Sequence, residues 1–357
     1  MSNGRRTIAC ILVGLGALLL AAAVMIPTYT VDKVAKTPLD LRITTVAKSV
    51  PGEDSMVLDS KSLVSPEGSA KVDKVAVSSQ RFLTVEEPSD ADQMTVQAGQ
   101  TLRRDDRDGD AGVLDAKVDR VTIDRFTGAP VSTSPNGSIA VNVDKSGASV
   151  ADATTREGLQ YRFPIGTEKK SYPYFDVNAR ATFPIDFVEE TQIDGMPVYY
   201  FKQSIPVTNL NDVAPTATSK LSLPAAKWGL EGDGEVTMYR FYTNVREVWV
   251  EPRTGAVIKG GEHLHLFYGR SANQVDLTAL KSHLVFDQET IDAQMAVTQE
   301  SLDKLDLFGK TLPIILGILG AILLLAGAAL GVLSSGGGSP ARRTYDPPTE
   351  QIRTTNL

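Results

Sequence analysis

Two uncharged apolar runs stand at opposite ends of this chain, and they constrain everything placed between them. Residues 8–26 read IACILVGLGALLLAAAVMI and residues 312–333 read LPIILGILGAILLLAGAALGVL. A helix needs about 20 apolar residues to cross a hydrocarbon core of about 30 Å. Both runs reach that length, and no other stretch does. Basic residues close to a span tend to stay in the cytoplasm. Arg5 and Arg6 precede the first run, and Arg342, Arg343 and Arg353 follow the second. The expected arrangement is therefore a two-pass plasma-membrane protein with both termini cytoplasmic and its main domain outside. A cleaved signal peptide competes for the first run, since Ala21, Ala22 and Ala23 offer small residues for cleavage. The run is longer than the usual h-region of about 7 to 15 residues, which favours a retained anchor.

This reading divides the chain into a cytoplasmic tail (1–7), a span (8–26), a β-rich extracytoplasmic domain (27–275), a helical juxtamembrane segment (276–310), a second span (311–333) and a cytoplasmic tail (334–357). The last tail is rich in Gly, Pro and Ser and is expected to be disordered. The net charge is −7; the two tails carry +2 and +1, which leaves −10 for the exterior. An acidic exterior disfavours nucleic acid as a partner and disfavours general docking to anionic headgroups. Cys10, inside the first run, is the only cysteine. The exterior therefore has no disulfide and must be held by its core, which a domain of this size can supply.

Strand signals dominate the exterior. In residues 39–50, Leu39, Leu41, Ile43, Thr45 and Ala47 alternate with polar residues, the period of a half-buried strand. Residues 71–85 read similarly. Residues 105–112, DDRDGDAG, read as a charged turn. Asp194-Gly195 lies between two strand-like runs, a strong hairpin signal.

Two segments resemble each other without gaps. VDRVTIDRFTGAPV (118–131) aligns with VREVWVEPRTGAVI (245–258), so that Asp124, Thr127 and Gly128 match Glu251, Thr254 and Gly255. Each reads as strand, acidic residue, Thr-Gly turn, strand, with the glycine supplying a positive φ. The match suggests an internal duplication of a β unit; chance similarity of two hairpins is the alternative. From 276 to 307 Gly and Pro disappear and Leu277, Leu280, Leu284, Ile291, Met295, Leu302 and Leu305 recur at roughly helical spacing. The expected fold class is α+β: a β-rich extracytoplasmic domain with terminal helices, flanked by one transmembrane helix at each end.

Chemistry-bearing motifs are absent. No G-x-S-x-G elbow, H-E-x-x-H or P-loop occurs, so no catalytic residue is assigned and the protein is expected not to be an enzyme. His263 and His265 share one strand face, but a zinc site needs three or four ligands. The reading is therefore no metal and no cofactor. Tyr199, Phe201, Phe241 and Trp249 are candidates to line an apolar binding groove, with ordinary sheet core as the alternative. Gly327 and Gly331 form a G-x-x-x-G pair that allows close helix approach, to Gly14 and Gly16 of the first run or to another protein.

The basic N-terminus with its anchor, the I-D-R-x-T-G and V-E-P-x-T-G turns and the second anchor resemble an actinobacterial membrane family called porin A-like. The matching pieces are Val121–Val131, the YRFP run Tyr161–Pro164 with Tyr172 and Asp176, Asp194–Phe201, and Trp249–Ile258. The resemblance covers most of the chain and implies a high-GC Gram-positive source and a cell-envelope role. The two-anchor plan is also similar, in topology only, to class B scavenger receptors, whose external β-rich domain carries lipid through an apolar tunnel.

The leading expectation is a non-enzymatic, doubly anchored envelope protein. Its exterior would bind or handle a membrane lipid or glycolipid, or support envelope lipoglycan assembly beside other envelope-biosynthesis membrane proteins. A porin-like channel-forming protein is the alternative, and an unrecognised envelope glycan-processing enzyme the second alternative.

Overall fold

The computed structural model describes residues 2–30, 36–66, 68–143 and 149–335. Most of the C-terminal tail expected to be disordered lies outside the described residues. The chain divides into two units, residues 1–32 with 306–357, and residues 33–305.

The first unit holds two apolar helices, Ser2–Met25 and Leu312–Ser335, each long and apolar enough to cross a membrane. They pack against each other antiparallel. A Cβ added to Gly16 would meet the Gly320 oxygen at 2.8 Å, and one added to Gly327 would meet the Ala9 oxygen at 2.9 Å. Hydrocarbon gives apolar helices little reason to associate, so such close backbone approach is what brings dispersion contacts into range. Of the G-x-x-x-G pair, Gly327 lies at this contact and Gly331 does not: a Cβ there would meet nothing within 4 Å, and the same holds for Gly14. Of the two first-run glycines, Gly16 lies in the contact, but against Gly320 and Leu324, while Gly327 meets Ala9 and Val13.

The second unit is β-rich. Its strands are β1 (Arg42–Ser49), β2 (Met56–Asp59), β3 (Lys71–Lys74), β4 (Val77–Glu86), β5 (Gln93–Arg104), β6 (Val113–Asp124), β7 (Gly137–Val143), β8 (Ser149–Thr154), β9 (Tyr172–Asp176), β10 (Ala181–Ile193), β11 (Met196–Asn209), β12 (Lys220–Pro224), β13 (Glu235–Glu251), β14 (Ala256–Gly269) and β15 (Leu277–Phe286). All belong to one antiparallel sheet. Twelve of them follow the order β8-β7-β6-β5-β4-β1-β15-β14-β13-β11-β10-β9. Two meanders are thus joined where β1 pairs with β15, Ala47 opposite Phe286.

The Asp194-Gly195 hairpin forms as read: β10 and β11 are joined by Asp194 and Gly195, both with positive φ (47° and 85°), the requirement of a type I′ turn. The two Thr-Gly turns also match in detail. Asp124 accepts from the Phe126 and Thr127 amides at 3.0 and 2.7 Å and from the Thr127 hydroxyl at 2.9 Å. Glu251 accepts from the Arg253 and Thr254 amides at 3.0 and 2.8 Å and from the Thr254 hydroxyl at 2.6 Å. Gly128 and Gly255 follow at φ 70° and 72°. Beyond the turns the likeness stops. Gly255 leads directly into β14, whereas after Gly128 a single bridge joins Ile123 to Pro130.

One boundary differs from expectation. The helix expected over 276–310 begins only at Gln288 and runs to Asp306; residues 277–286 are β15. Leu277, Leu280 and Leu284 fit a helical spacing, but Leu280, Ser282 and Leu284 also alternate onto a buried face. Ladder partners on both sides, β1 and β14, decide the matter.

Candidate functional site

Side chains of the second unit line a half-open cavity of about 310 Å³. Its wall combines an apolar part, Ile43 of β1, Leu83 of β4, Met94 and Val96 of β5, Val248 of β13 and Leu284 of β15, with charged residues that include Arg81, Arg246, Glu247 and Glu262. The helix Gln288–Asp306 contributes Val297, Thr298 and Leu305. Alternation explains the wall. Ile43, Thr45 and Ala47 are the even-spaced residues of β1 that the sequence marks as one face, and all three line the cavity. The size lies near the lower end of the roughly 300–1,000 Å³ typical of ligand pockets.

A short irregular segment closes the wall between the meanders. Leu159 bridges β9, its amide donating to the Pro173 oxygen at 2.7 Å and its oxygen accepting from Phe175 at 2.9 Å. The YRFP run that follows is held between the two Thr-Gly turns. The Phe163 amide donates to the Gly255 oxygen at 2.9 Å, and the Ile165 amide to the Phe126 oxygen at 3.1 Å. The Arg162 guanidinium donates to the Thr254 oxygen at 3.0 Å and, at 3.4 Å, to the Arg125 oxygen. Burial, aided by the Arg125 charge and opposed by the Asp124 carboxylate, lowers the Arg162 pKa to about 10. Tyr161 adopts φ 68°, a left-handed conformation that bulky residues rarely take.

Below the apolar part of the wall the interior turns polar, around a second cavity of about 40 Å³. Two buried carboxylates organise it. Asp119 accepts from both terminal nitrogens of Arg156 at 2.8 and 3.0 Å, from Gln160 at 3.1 Å, and from the Tyr161 hydroxyl. Asp176 accepts from Arg246 at 2.8 Å, from the Tyr242 hydroxyl at 3.1 Å, and from the Asn178 and Ala179 amides at 3.0 and 2.7 Å. Arg246 also donates to Gln203 at 2.6 Å and to Glu262 at 3.0 Å. Burial first, and the adjacent Asp119 charge second, push the Tyr161 hydroxyl well above its ordinary pKa; Asp176 does the same for Tyr242. Each charge therefore has several partners, the condition for tolerating ions inside a protein.

The four aromatic residues expected to line a groove do not line this cavity. Phe201 is fully buried, 4.8 Å from the Phe163 ring, in a closed cluster with Tyr172 and Tyr174. Tyr199 packs edge-on against Phe187, Phe241 stacks on Phe267, and Trp249 stacks on Tyr200 at 4.7 Å beneath Lys259. Register decides this: Tyr200 and Trp249 are cross-strand partners on the opposite face from Phe201 and Val248. The aromatic rings that do reach the cavity are those of Tyr161, Tyr174 and Phe286. Tyr161 could have been singled out from the YRFP run, whereas Asp119, Arg156 and Arg246 carry no local signal.

Among the described residues, one group of side chains could hold a metal ion: Glu247, His263 and His283. His265, two residues from His263 on β14, instead lies 3.3 Å from the Thr278 hydroxyl.

A family model described as Porin PorA matches residues 8–329. Two relatives carry the same description. Porin PorA of Corynebacterium amycolatum is 35% identical over 90% of this chain and 98% of its own. Porin PorA of Corynebacterium resistens is 33% identical over 91% of this chain and 96% of its own.

Proposed function

This chain belongs to the Porin PorA family, and we propose for it a porin-like role: a membrane protein of the cell envelope that provides a path for solutes. The carrying observation is the family match, which takes in both apolar helices and the whole β body. The reading is non-enzymatic. It sets both termini in the cytoplasm, supported by Arg5 and Arg6 on one side and Arg342, Arg343 and Arg353 on the other. A conducting path needs polar lining, and the interior groups available are those around Asp119, Arg246 and Glu262. Purified full-length protein in a planar bilayer should give discrete conductance steps. Silence at every protein concentration and voltage removes the channel reading.

The apolar part of the larger cavity's wall favours a second reading, in which the β body holds the apolar chain of a membrane lipid or glycolipid. Water gains little from such a surface, whereas an acyl chain would bury roughly 0.8 kcal/mol of transfer free energy per methylene. Native mass spectrometry of the full chain should then find a co-purified lipid, and Val96→Trp, which fills the cavity, should remove it. A lipid-free protein with bilayer conductance would leave the first reading alone.

A further inference from the structure

We propose that Glu247, His263 and His283, with Glu53 beside them, form a binding site for one divalent transition-metal ion of the zinc class. The site stands on three neighbouring strands. His263 of β14 lies directly opposite His283 of β15, and opposite Val245 of β13, from which Glu247 is two residues along on the same face. One ligand atom from each of the three side chains falls within 4.8 Å of the others. The imidazole rings face each other with centroids 3.6 Å apart. His263 Nε2 is 3.7 Å from Glu247 Oε2, and His283 Nδ1 is 3.0 Å from Glu53 Oε2.

The surroundings fit a ligand set. The Tyr200 hydroxyl donates to Glu247 Oε1 at 2.5 Å, which fixes the carboxylate and leaves Oε2 turned to the histidines. That is the outer-shell arrangement that orients metal-bound carboxylates. Two imidazole nitrogens with one or two carboxylate oxygens suit zinc, cobalt or nickel, while calcium and magnesium call for oxygen alone. Tetrahedral zinc, with ligands at about 2.0–2.2 Å, would draw the groups in by about an ångström. Glu53 and His263, whose side chains are 57% and 44% exposed, have room to move. A bound ion would clip β13, β14 and β15 to the turn that carries Glu53.

The test uses full-length protein in detergent, made without a histidine tag and stripped with chelator. Calorimetric titration with Zn²⁺ should find one ion per chain, and Co²⁺ should give the visible absorption of a tetrahedral nitrogen–oxygen site. His263→Ala and His283→Ala should each abolish both signals. Tyr200→Phe, which keeps every ligand and the ring stack, should weaken binding by roughly 10-fold. His265→Ala should bind as the wild type does. Wild-type protein that takes up no stoichiometric ion overturns the site, as does binding that survives the double His263→Ala/His283→Ala variant.

Discussion

The Gly255 carbonyl oxygen lies 2.9 Å from the Phe163 amide, so a hairpin turn and a distant connecting segment are held at backbone level. The approach leaves no room for a side chain: a Cβ on Gly255 would meet the Phe163 oxygen at 2.2 Å. The turn is therefore both a local reversal and one half of the clasp around the YRFP run.

Gly255→Ala should cost about 3 kcal/mol, combining a left-handed backbone with a clash against a fixed carbonyl. Gly195→Ala is the comparison, because Gly195 also has positive φ (85°) but nothing within 4 Å of the added Cβ. Its loss should stay near 1–2 kcal/mol. Urea unfolding followed through tryptophan emission separates the two, and equal losses would show that the clasp does not bear on stability.

Arg246→Ala should destabilise the β body by roughly 3–5 kcal/mol, since it strands buried Asp176 without its main cation. Arg246→Lys should restore only part. An ammonium cannot reach Asp176, Gln203 and Glu262 together, as the guanidinium fork does. Full recovery with lysine would mean that charge alone matters there.

Acid sensitivity follows from Asp124 and Asp287. Burial raises each carboxyl, but hydrogen bonds outweigh it, from Thr127 and Phe126 in one case and from Lys48 and Thr290 in the other. Both carboxyls thus sit below their ordinary value in the folded chain. Their contribution is complete above about pH 4, the unfolded value, and fades as pH falls through the lower folded values. Asp124→Asn should be less stable than wild type at pH 7, with the gap narrowing as pH falls below about 4. A gap that stays constant across that range would refute the assignment.

The helix pair makes a geometric prediction. A Cβ on Gly317 would lie 3.9 Å from the Ala23 Cβ, within the roughly 3.5–4.5 Å that a disulfide spans. In a Cys10→Ser background, Ala23→Cys with Gly317→Cys should cross-link on oxidation. Gly16→Leu should block the cross-link by pushing against Gly320 and Leu324, while Gly331→Leu should leave it intact.

Much of this molecule is written in short-range pattern. Ile43, Thr45 and Ala47 reveal their shared face by spacing alone, and Asp194-Gly195 reveals its turn because few residues adopt two successive positive φ angles. The helix boundary at Gln288 was less legible, since Leu277, Leu280 and Leu284 satisfy both a helical and an alternating period. The aromatic candidates were misplaced for a related reason. A ring's type says that it will be buried, but strand register says on which side, and Trp249 pairs with Tyr200 on the opposite face from Phe201.

From the order of residues alone came the two apolar ends, the strand-rich middle and the paired Thr-Gly turns, because each depends on neighbours within one turn or one hairpin. The cavity, the Asp119 and Asp176 networks and the meeting of Glu247, His263 and His283 were decided only by the folded sheet. Asp176 meets Tyr242 and Arg246 from 66 and 70 residues away, whereas Glu247, His263 and His283 come from three consecutive strands; in both cases it is the register of the ladder that brings the groups within a few ångströms.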